Sequence, residues 1–209
     1  MPSYKLTYFD ARGRVEIARL LFALKGVEFE DVRLPYDAAF ATSEEKKKAP
    51  LGQLPILEIE GRPILPQSRA IQRYLAREFG FYGSNNKEAT IMDLVVETFD
   101  DFIEGMSKFI ATESDEAKKA EMKKKFMEET APRLLAFIEK LRGQSSSAYF
   151  DGDKPSYADV TVFNLVDVGV DHLGKDLFSK YPKLVELKQR VSEIPSVKAY
   201  LAKRPKTLY

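Results

Sequence analysis

The stretch that decides the fold, residues 49–74, reads APLGQLPILEIEGRPILPQSRAIQRY. After a proline and a glycine that interrupt the preceding segment, residues 54–60 are apolar with a partial period of two, which predicts a β-strand. A turn and a short second strand at residues 63–65 are expected next. Apolar residues then recur at helical spacing, so Ser68 is predicted to lie at a helix N-terminus.

This arrangement offers two binding features. A helix N-terminus presents free backbone N–H groups and the positive end of the helix dipole, which suit a carboxylate. Pro55 stands at the start of the first predicted strand, and a cis bond there would turn the preceding backbone outward. Leu54 could then present its N–H and C=O to an extended peptide. Together the two features predict a site for a small acidic peptide.

The residues before this stretch predict a βαβ unit. Residues 4–9 alternate as a strand does, apolar residues recur at helical spacing from Val15 to Lys25, and residues 29–34 favour a second strand. With an irregularly helical segment at 37–48, the order becomes βαβ, α, ββα, which is thioredoxin-like.

The remainder of the chain is predicted to be helical. Residues 81–86 are interpreted as a linker between an N-terminal domain, 1–80, and an all-α domain, 87–209. Pro132 is expected to kink or break a helix. Ser156 and Asp159 have the spacing of a capping box that opens a buried helix, and Pro195 and Pro205 bracket a final short one.

Composition excludes several function classes. The formal net charge of +1 gives no electrostatic case for nucleic acid or an acidic membrane as partner. No apolar run approaches membrane-spanning length and no signal-peptide pattern opens the chain, so a cytoplasmic location is expected. With no Cys and one His, neither disulfides nor a zinc site are expected. Any reactive thiol must therefore come from a ligand.

Segments 53–55 and 67–71 resemble the glutathione site of cytosolic glutathione transferases. Segments 4–9 and 12–14, with Glu16, are similar to the sigma-like class, which includes nematode enzymes and haematopoietic prostaglandin D synthase. The resemblance covers nearly the whole chain, and its motifs are specific jointly rather than singly. It implies a thioredoxin-like domain followed by an all-α domain, and a cytoplasmic homodimer without a required metal. The implied function is conjugation of glutathione to small apolar electrophiles in detoxification, with a peroxidase side activity.

The resemblance also implies the catalytic residues. A free thiol has a pKa of about 8.5 and is mostly un-ionised at neutral pH, whereas the thiolate is the nucleophile. Tyr8 matches the family's catalytic tyrosine, whose hydroxyl donates a hydrogen bond to the glutathione sulfur and so favours the thiolate. Arg14 matches an arginine near that tyrosine, and its positive charge acts in the same direction.

The implied glutathione contacts follow the same motifs. The Leu54 backbone would pair with the cysteinyl moiety, beside Pro55, and Gln53 would also face the peptide. Gln67 and Ser68 would hold the γ-glutamyl carboxylate.

The chain departs from the family at the glycine end of glutathione. Phe40 stands where the family usually has a tryptophan, and it has no N–H to donate. Lys46 stands at the position of the family's lysine, in a loop longer than usual. The alternative is that Lys46 is one of three solvated lysines at 46–48.

An acidic helix face allows two interpretations. Glu97, Asp100, Asp101 and Glu104 lie within two turns, and like charges at this spacing destabilise a helix. The face is either solvated or lines the cleft of a two-fold dimer. In the second case Asp101 matches the family's aspartate that reaches the γ-glutamyl ammonium of glutathione in the other subunit. A divalent cation held by Glu97, Asp100 and Asp101 is a further suggestion.

Two other functions stay open at this point. One is a glutathione-dependent prostaglandin-H2 D-isomerase, although Lys108 stands where that enzyme has a pocket tryptophan. The other is a non-enzymatic ligand carrier or lens crystallin on the same fold. The presence of Tyr8 and Arg14 argues against an inactive protein.

Overall fold

The computed structural model describes residues 2–207, which divide into two compact units. The first unit contains the described residues up to Phe81 together with those from Glu193 onward, and the second is Tyr82–Ser192. The boundary at Phe81 lies in the predicted linker. The segment from Glu193 onward groups with the first unit by contact, although it lies within the predicted 87–209 domain. The domain limits 1–80 and 87–209 stay a prediction.

The first unit is built on a four-stranded sheet. The strands lie in the order β2-β1-β3-β4, where β1 is parallel to β2 and antiparallel to β3, and β3 is antiparallel to β4. This confirms the predicted thioredoxin-like order. The elements are β1 (Tyr4–Phe9), α1 (Glu16–Lys25), β2 (Glu30–Leu34), a 3₁₀ turn (Ala38–Thr42), α2 (Glu44–Lys48), β3 (Ile56–Ile59), β4 (Leu65–Pro66) and α3 (Ser68–Phe79).

The central strand β1 explains how the unit packs. Alternate side chains of a strand point to opposite faces, so Tyr4 and Leu6 share one face, and both are buried. The Tyr4 ring contacts Phe22 of α1 and Phe79 of α3, with ring centroids 5.3 and 6.0 Å apart. These two helices therefore cover one face of the sheet, and Tyr8 extends the same series to the end of the strand.

The second unit is helical. Its centre is the helix that the capping box begins: the Asp159 carboxylate accepts hydrogen bonds from the Ser156 N–H at 2.7 Å and from the Ser156 hydroxyl at 2.6 Å, as predicted. The elements are α4 (Asn86–Ser107), a π-helical turn (Lys108–Thr112), α5 (Glu116–Lys125), a second π-helical turn (Phe126–Thr130), α6 (Ala131–Gly143), α7 (Tyr157–Leu173), a 3₁₀ turn (Lys175–Lys180) and α8 (Pro182–Ser192).

Pro132 lies in the first turn of α6, directly after the second π-helical turn. The predicted interruption is therefore the π-helical turn that precedes the proline. Pro132 itself is tolerated because it lies in the first turn of a helix and not inside one. Among residues 2–207, no helix has both the length and the hydropathy that crossing a membrane requires.

The final helix, α9 (Pro195–Lys203), begins at Pro195 and ends before Arg204-Pro205, as predicted. It packs against α1 in the first unit. The Tyr200 hydroxyl and the Arg204 guanidinium, which follows the helix, each donate a hydrogen bond to the Glu16 carboxylate at 3.0 Å. These contacts explain why this segment groups with the first unit.

Candidate functional site

A cavity of about 380 Å³ lies in the first unit, where β1 ends and α3 begins. The cavity brings together most of the residues that the sequence predicts for the site. Two predicted residues, Tyr8 and Lys46, lie beside the cavity rather than in its lining. The lining residues are Phe9, Arg14, Phe40, Leu51, Gly52, Gln53, Leu54, Pro55, Pro66, Gln67 and Ser68.

The start of α3 forms one wall of the cavity. Ser68 is the first residue of the helix and is 8% exposed, which confirms its predicted place at a helix N-terminus. Gln67 precedes it with φ 74° and ψ 112°, a backbone conformation that non-glycine residues rarely adopt. Such strain persists only where the surrounding structure holds the backbone in place, and it occurs preferentially at ligand-binding sites. The sequence alone gave no sign of this strain at Gln67.

The segment before β3 forms a second wall. The Leu54-Pro55 peptide bond is cis, which meets the condition under which Leu54 was predicted to present its backbone. Pro55 is buried, Leu54 is half-buried, and Gln53 is exposed beside them. Both Leu54 and Pro55 line the cavity, and Leu54 is the more exposed of the two.

The turn between β1 and α1 holds the Tyr8 hydroxyl. The Arg14 backbone N–H donates a hydrogen bond to the Tyr8 oxygen at 3.4 Å. Gly13 has φ +40°, and a Cβ added to it would lie 2.8 Å from the Tyr8 oxygen, so this position requires glycine on two grounds. Because the phenol oxygen accepts this bond, its own hydrogen stays available to donate to a ligand.

Gln72 is a buried residue of this site that the sequence reasoning missed. Its side-chain amide donates a hydrogen bond to the Arg14 carbonyl at 2.9 Å, and its oxygen accepts one from Arg69 at 2.6 Å. Gln72 is 1% exposed. It therefore joins α3 to the turn that carries Arg14. A polar residue on the buried face of α3, next to Ile71, was the signal that could have found it.

A cluster of three aromatic rings lies at the edge of the cavity that Phe40 lines. The Phe40 ring stands edge-on to Phe9, with centroids 5.1 Å apart, and the exposed ring of Tyr36 contacts Phe9 in the same way at 4.8 Å. Phe40 belongs to the 3₁₀ turn, whose start is capped by the Asp37 carboxylate. The site therefore has an apolar ring at this position, with no side-chain donor.

Lys46 differs from the two lysines that follow it. Lys47 pairs with Glu44 at 2.6 Å and Lys48 pairs with Glu58 at 2.5 Å. Lys46 is half-buried and its stem approaches Gly52, where an added Cβ would lie 3.8 Å from Lys46 Cε. Within residues 2–207, the ion pairs leave Lys46 without an acidic partner. The contrast favours Lys46, among the three lysines, as the one directed toward the segment that carries Gln53.

Asp101 lies on the exposed face of α4 in the second unit, as do Glu97 and Glu104, whereas Asp100 is half-buried. Asp101 and Glu104 border a separate cavity of about 550 Å³. The other residues of that cavity are Gly105, Lys108, Phe109, Met122, Lys125, Phe126, Thr130 and Arg133. In the described part of the chain, no three His, Asp or Glu side chains gather as a metal site requires. The suggested cation site therefore gains no support from the single chain.

The comparisons with known proteins agree with this geometry. Residues 4–77 match the model of the glutathione S-transferase N-terminal domain, and residues 100–204 match that of the glutathione S-transferase C-terminal domain. Three curated relatives are each 38% identical: S-crystallin SL11 of Nototodarus sloanii and glutathione S-transferase 3 of Caenorhabditis elegans, over 100% of both chains, and haematopoietic prostaglandin D synthase of Gallus gallus, over 99% of both.

Two solved structures show the same fold. The glutathione S-transferase of Ascaris lumbricoides superposes with a TM-score of 0.85 at 35% identity, over 100% of both chains. The sigma class enzyme of Fasciola hepatica superposes with a TM-score of 0.89 at 28% identity, over 100% of this chain and 99% of that one. With both domain models matched and relatives aligned from end to end, this chain belongs to the glutathione S-transferase family.

Proposed function

We propose that this protein is a glutathione transferase that binds glutathione in the cavity of the first unit and joins its sulfur to small apolar electrophiles. The observation that carries the proposal is the Tyr8 hydroxyl, which accepts a hydrogen bond from the Arg14 N–H and keeps its own hydrogen to donate. Membership of the family supports the same activity.

Tyr8 acts on the thiol of bound glutathione. Its hydroxyl donates to the sulfur, which favours the charged thiolate over the neutral thiol. Lowering the thiol pKa by about two units requires about 2.7 kcal/mol of differential stabilisation. A hydrogen bond to a charged acceptor supplies roughly 1.5–3 kcal/mol, so Tyr8 with the positive charge of Arg14 is sufficient. The thiolate then attacks the electrophilic atom and forms the new sulfur bond.

The walls of the cavity hold the rest of the tripeptide. The γ-glutamyl carboxylate lies at the start of α3, where Ser68 and Gln67 offer hydrogen-bonding groups and the helix dipole favours a negative charge. The Leu54 backbone pairs with the cysteinyl moiety, with Pro55 behind it and Gln53 alongside.

The glycine end has a different set of contacts. Lys46 attracts the glycine carboxylate, since it is the lysine of its run without an acidic partner within residues 2–207. Phe40 contributes an apolar edge in place of a donor. We expect this end of glutathione to be held less firmly than a site with an indole would hold it.

The working form that we propose is a cytoplasmic homodimer that acts in detoxification. The exposed carboxylates of Asp101 and Glu104, three residues apart on α4, repel one another unless a positive group lies against them. In a two-fold dimer, Asp101 would contact the γ-glutamyl ammonium of glutathione bound to the other subunit. The proposal requires no metal.

One of the relatives is a prostaglandin D synthase, which makes an isomerase the second candidate. Another is an S-crystallin, which makes a protein without catalysis the third candidate. Lys108 is exposed on the second unit where the resemblance places a pocket tryptophan, and this disfavours the isomerase. The Tyr8–Arg14 arrangement disfavours an inactive protein.

The test is a conjugation assay with glutathione and an aromatic halide, together with an ultraviolet titration of the bound thiolate. We expect Tyr8→Phe to raise the pKa of the bound thiol and to lower kcat, with glutathione affinity nearly unchanged. Ser68→Ala is the matched variant, and it should raise KM more than it lowers kcat, because a carboxylate contact is equally present in the ground and transition states. A wild-type protein that binds glutathione without conjugation, or a thiolate titration unaffected by Tyr8→Phe, would contradict the proposal.

A further inference from the structure

A group of charged and polar side chains, two of them buried and two half-buried, lies behind the turn that holds Tyr8. We call it the α1–α9 cluster, and its members are Glu16, Arg19, Tyr200 and Arg204. The side chains of Glu16 and Arg19 are 0% exposed. One oxygen of Glu16 accepts the hydrogen bonds from Tyr200 and Arg204, both at 3.0 Å, and its other oxygen lies 3.5 Å from Arg19 Nη1.

Arg19 connects this cluster to the turn itself. Its Nη1 donates a hydrogen bond to the Ala11 carbonyl at 2.6 Å, and its Nε donates one to Asp31 of β2 at 3.0 Å. Ala11 lies in the turn between β1 and α1, three residues after Tyr8. The turn is therefore held at Ala11 by Arg19, and Glu16 is itself the first residue of α1.

Burial makes these contacts obligatory. Removing a carboxylate and a guanidinium from water is unfavourable unless each is paired and hydrogen-bonded. Burial and the nearby Glu16 carboxylate both raise the pKa of Tyr200, so its phenol keeps the proton that it donates. A cluster in which each group depends on its neighbours has few alternative arrangements.

The Tyr8 hydroxyl depends on the same turn. Its oxygen accepts from the Arg14 N–H, and Gly13 leaves the space that its ring occupies. A shift of this turn would move the hydroxyl relative to the cavity. No member of the α1–α9 cluster is among the lining residues of the cavity, so the cluster acts on the chemistry indirectly, and the contact of Arg19 with Ala11 leads through the turn.

We propose that Tyr200 and Arg204 are positioning residues, which act through Glu16 and Arg19 to fix the β1–α1 turn and with it the direction of the Tyr8 hydroxyl. The catalytic half of this inference rests on the proposed function. Its structural half, the fixing of the turn by α9, does not.

The experiment compares Tyr200→Phe, Arg204→Met and Glu16→Gln with Lys203→Met. Tyr200→Phe removes one hydroxyl and keeps the ring, so it is the variant that best preserves the fold. Lys203 is an exposed cation on α9, directly before Arg204, which makes Lys203→Met the matched control. Hydrogen exchange of the peptide over residues 9–15, in protein without ligand, measures how readily the turn opens. The thiolate titration measures the pKa of the bound thiol, and separate values of kcat and KM distinguish an effect on catalysis from one on binding.

We expect faster exchange over residues 9–15 in the three cluster variants than in Lys203→Met, with unchanged exchange in β3. We also expect a raised pKa of the bound thiol and a kcat roughly tenfold lower, with KM within about twofold, because small misplacements of a reacting group act on the transition state. Exchange over 9–15 equal to the control would overturn the inference, as would an equal increase over the whole first unit. If the wild-type protein does not bind glutathione, the proposed function fails, and the exchange measurement alone still decides whether α9 fixes the turn.

Discussion

The side-chain amide of Gln72 donates a hydrogen bond to the backbone carbonyl of Arg14 at 2.9 Å, which joins α3 to the turn that follows β1. The start of α3, with Ser68, and the turn that carries Arg14 both border the cavity, and this buried side chain connects them. The same side chain also accepts a hydrogen bond from Arg69, so both ends of the Gln72 amide are held in a fixed orientation.

Gln72→Met tests this connection. Methionine has a similar length but cannot donate to the Arg14 carbonyl, so a buried acceptor loses a partner, and the free energy of unfolding should fall by about 1–3 kcal/mol. Urea denaturation measures this loss, and steady-state kinetics should show both a higher KM and a lower kcat. Gln189→Met, at an exposed helical position, is the control. Equal stability of the two variants would mean that the hydrogen bond contributes nothing.

Phe40→Trp tests the glycine end of glutathione. An indole at this position adds the N–H donor that the phenyl ring lacks, and a hydrogen bond to a charged carboxylate is worth roughly 1.5–3 kcal/mol. We expect glutathione to bind about tenfold more tightly by calorimetry. Phe137→Trp, on the exposed side of α6, controls for the added ring. Unchanged affinity would show that another group already serves this carboxylate.

Asp101→Asn tests the proposed sharing of the site between subunits. The charge of Asp101 should attract the ammonium of glutathione bound to the other subunit, so the variant should bind glutathione more weakly while analytical ultracentrifugation still shows a dimer. Glu121→Gln removes an exposed charge from α5 and is the control. A monomeric wild-type protein with full glutathione affinity, or normal binding by Asp101→Asn, would rule out the shared site.

The capping residue Asp159 should make stability depend on pH. Burial raises the pKa of Asp159 to about 6, against hydrogen bonds from Ser156 and Phe150 that lower it. The folded state thus holds this proton more tightly than the unfolded chain. The stabilisation is complete below the unfolded pKa of about 3.8 and is lost as pH rises through about 6. The total, from a shift of about two units, is about 3 kcal/mol.

Asp159→Asn removes this titration and keeps a side chain of the same size. We expect the unfolding free energy of the wild type, measured in urea and expressed relative to the variant, to decrease between pH 4 and pH 7. An increase over the same interval would show that the hydrogen bonds to the carboxylate outweigh its burial.

Local patterns predicted most of the secondary structure. The alternation of β1, the capping box of α7 and the prolines that flank α9 all act within a few residues, so the sequence carries their signal directly. The place of Ser68 at the start of α3 was expected for the same reason. The cavity residues Arg14, Phe40, Gln53 and Gln67 were expected from the family resemblance rather than from local patterns.

Features that depend on distant residues were not predictable. Tyr200 and Arg204 donate hydrogen bonds to Glu16, which lies 184 and 188 positions earlier. Nothing in the sequence near either end of these contacts indicates the partner. The positive φ of Gln67 also has no local signal, since glutamine gives no preference for it. The close approach of Gly13 to Tyr8 likewise appears only when the strand and the turn are folded together.

The contact between α9 and α1 has a consequence for synthesis on the ribosome. Glu16 is among the first residues to be made, whereas Tyr200 of α9 and the following Arg204, which donate hydrogen bonds to its carboxylate, are made near the end. Chains grow at about 5–20 residues per second, so the nascent N-terminal segment waits on the order of ten seconds or more for these groups. Until then the carboxylate of Glu16 lacks both of these donors. A chain that terminates before Tyr200 would therefore leave the buried Glu16 carboxylate without these two donors, even though every residue of the cavity had already been synthesised.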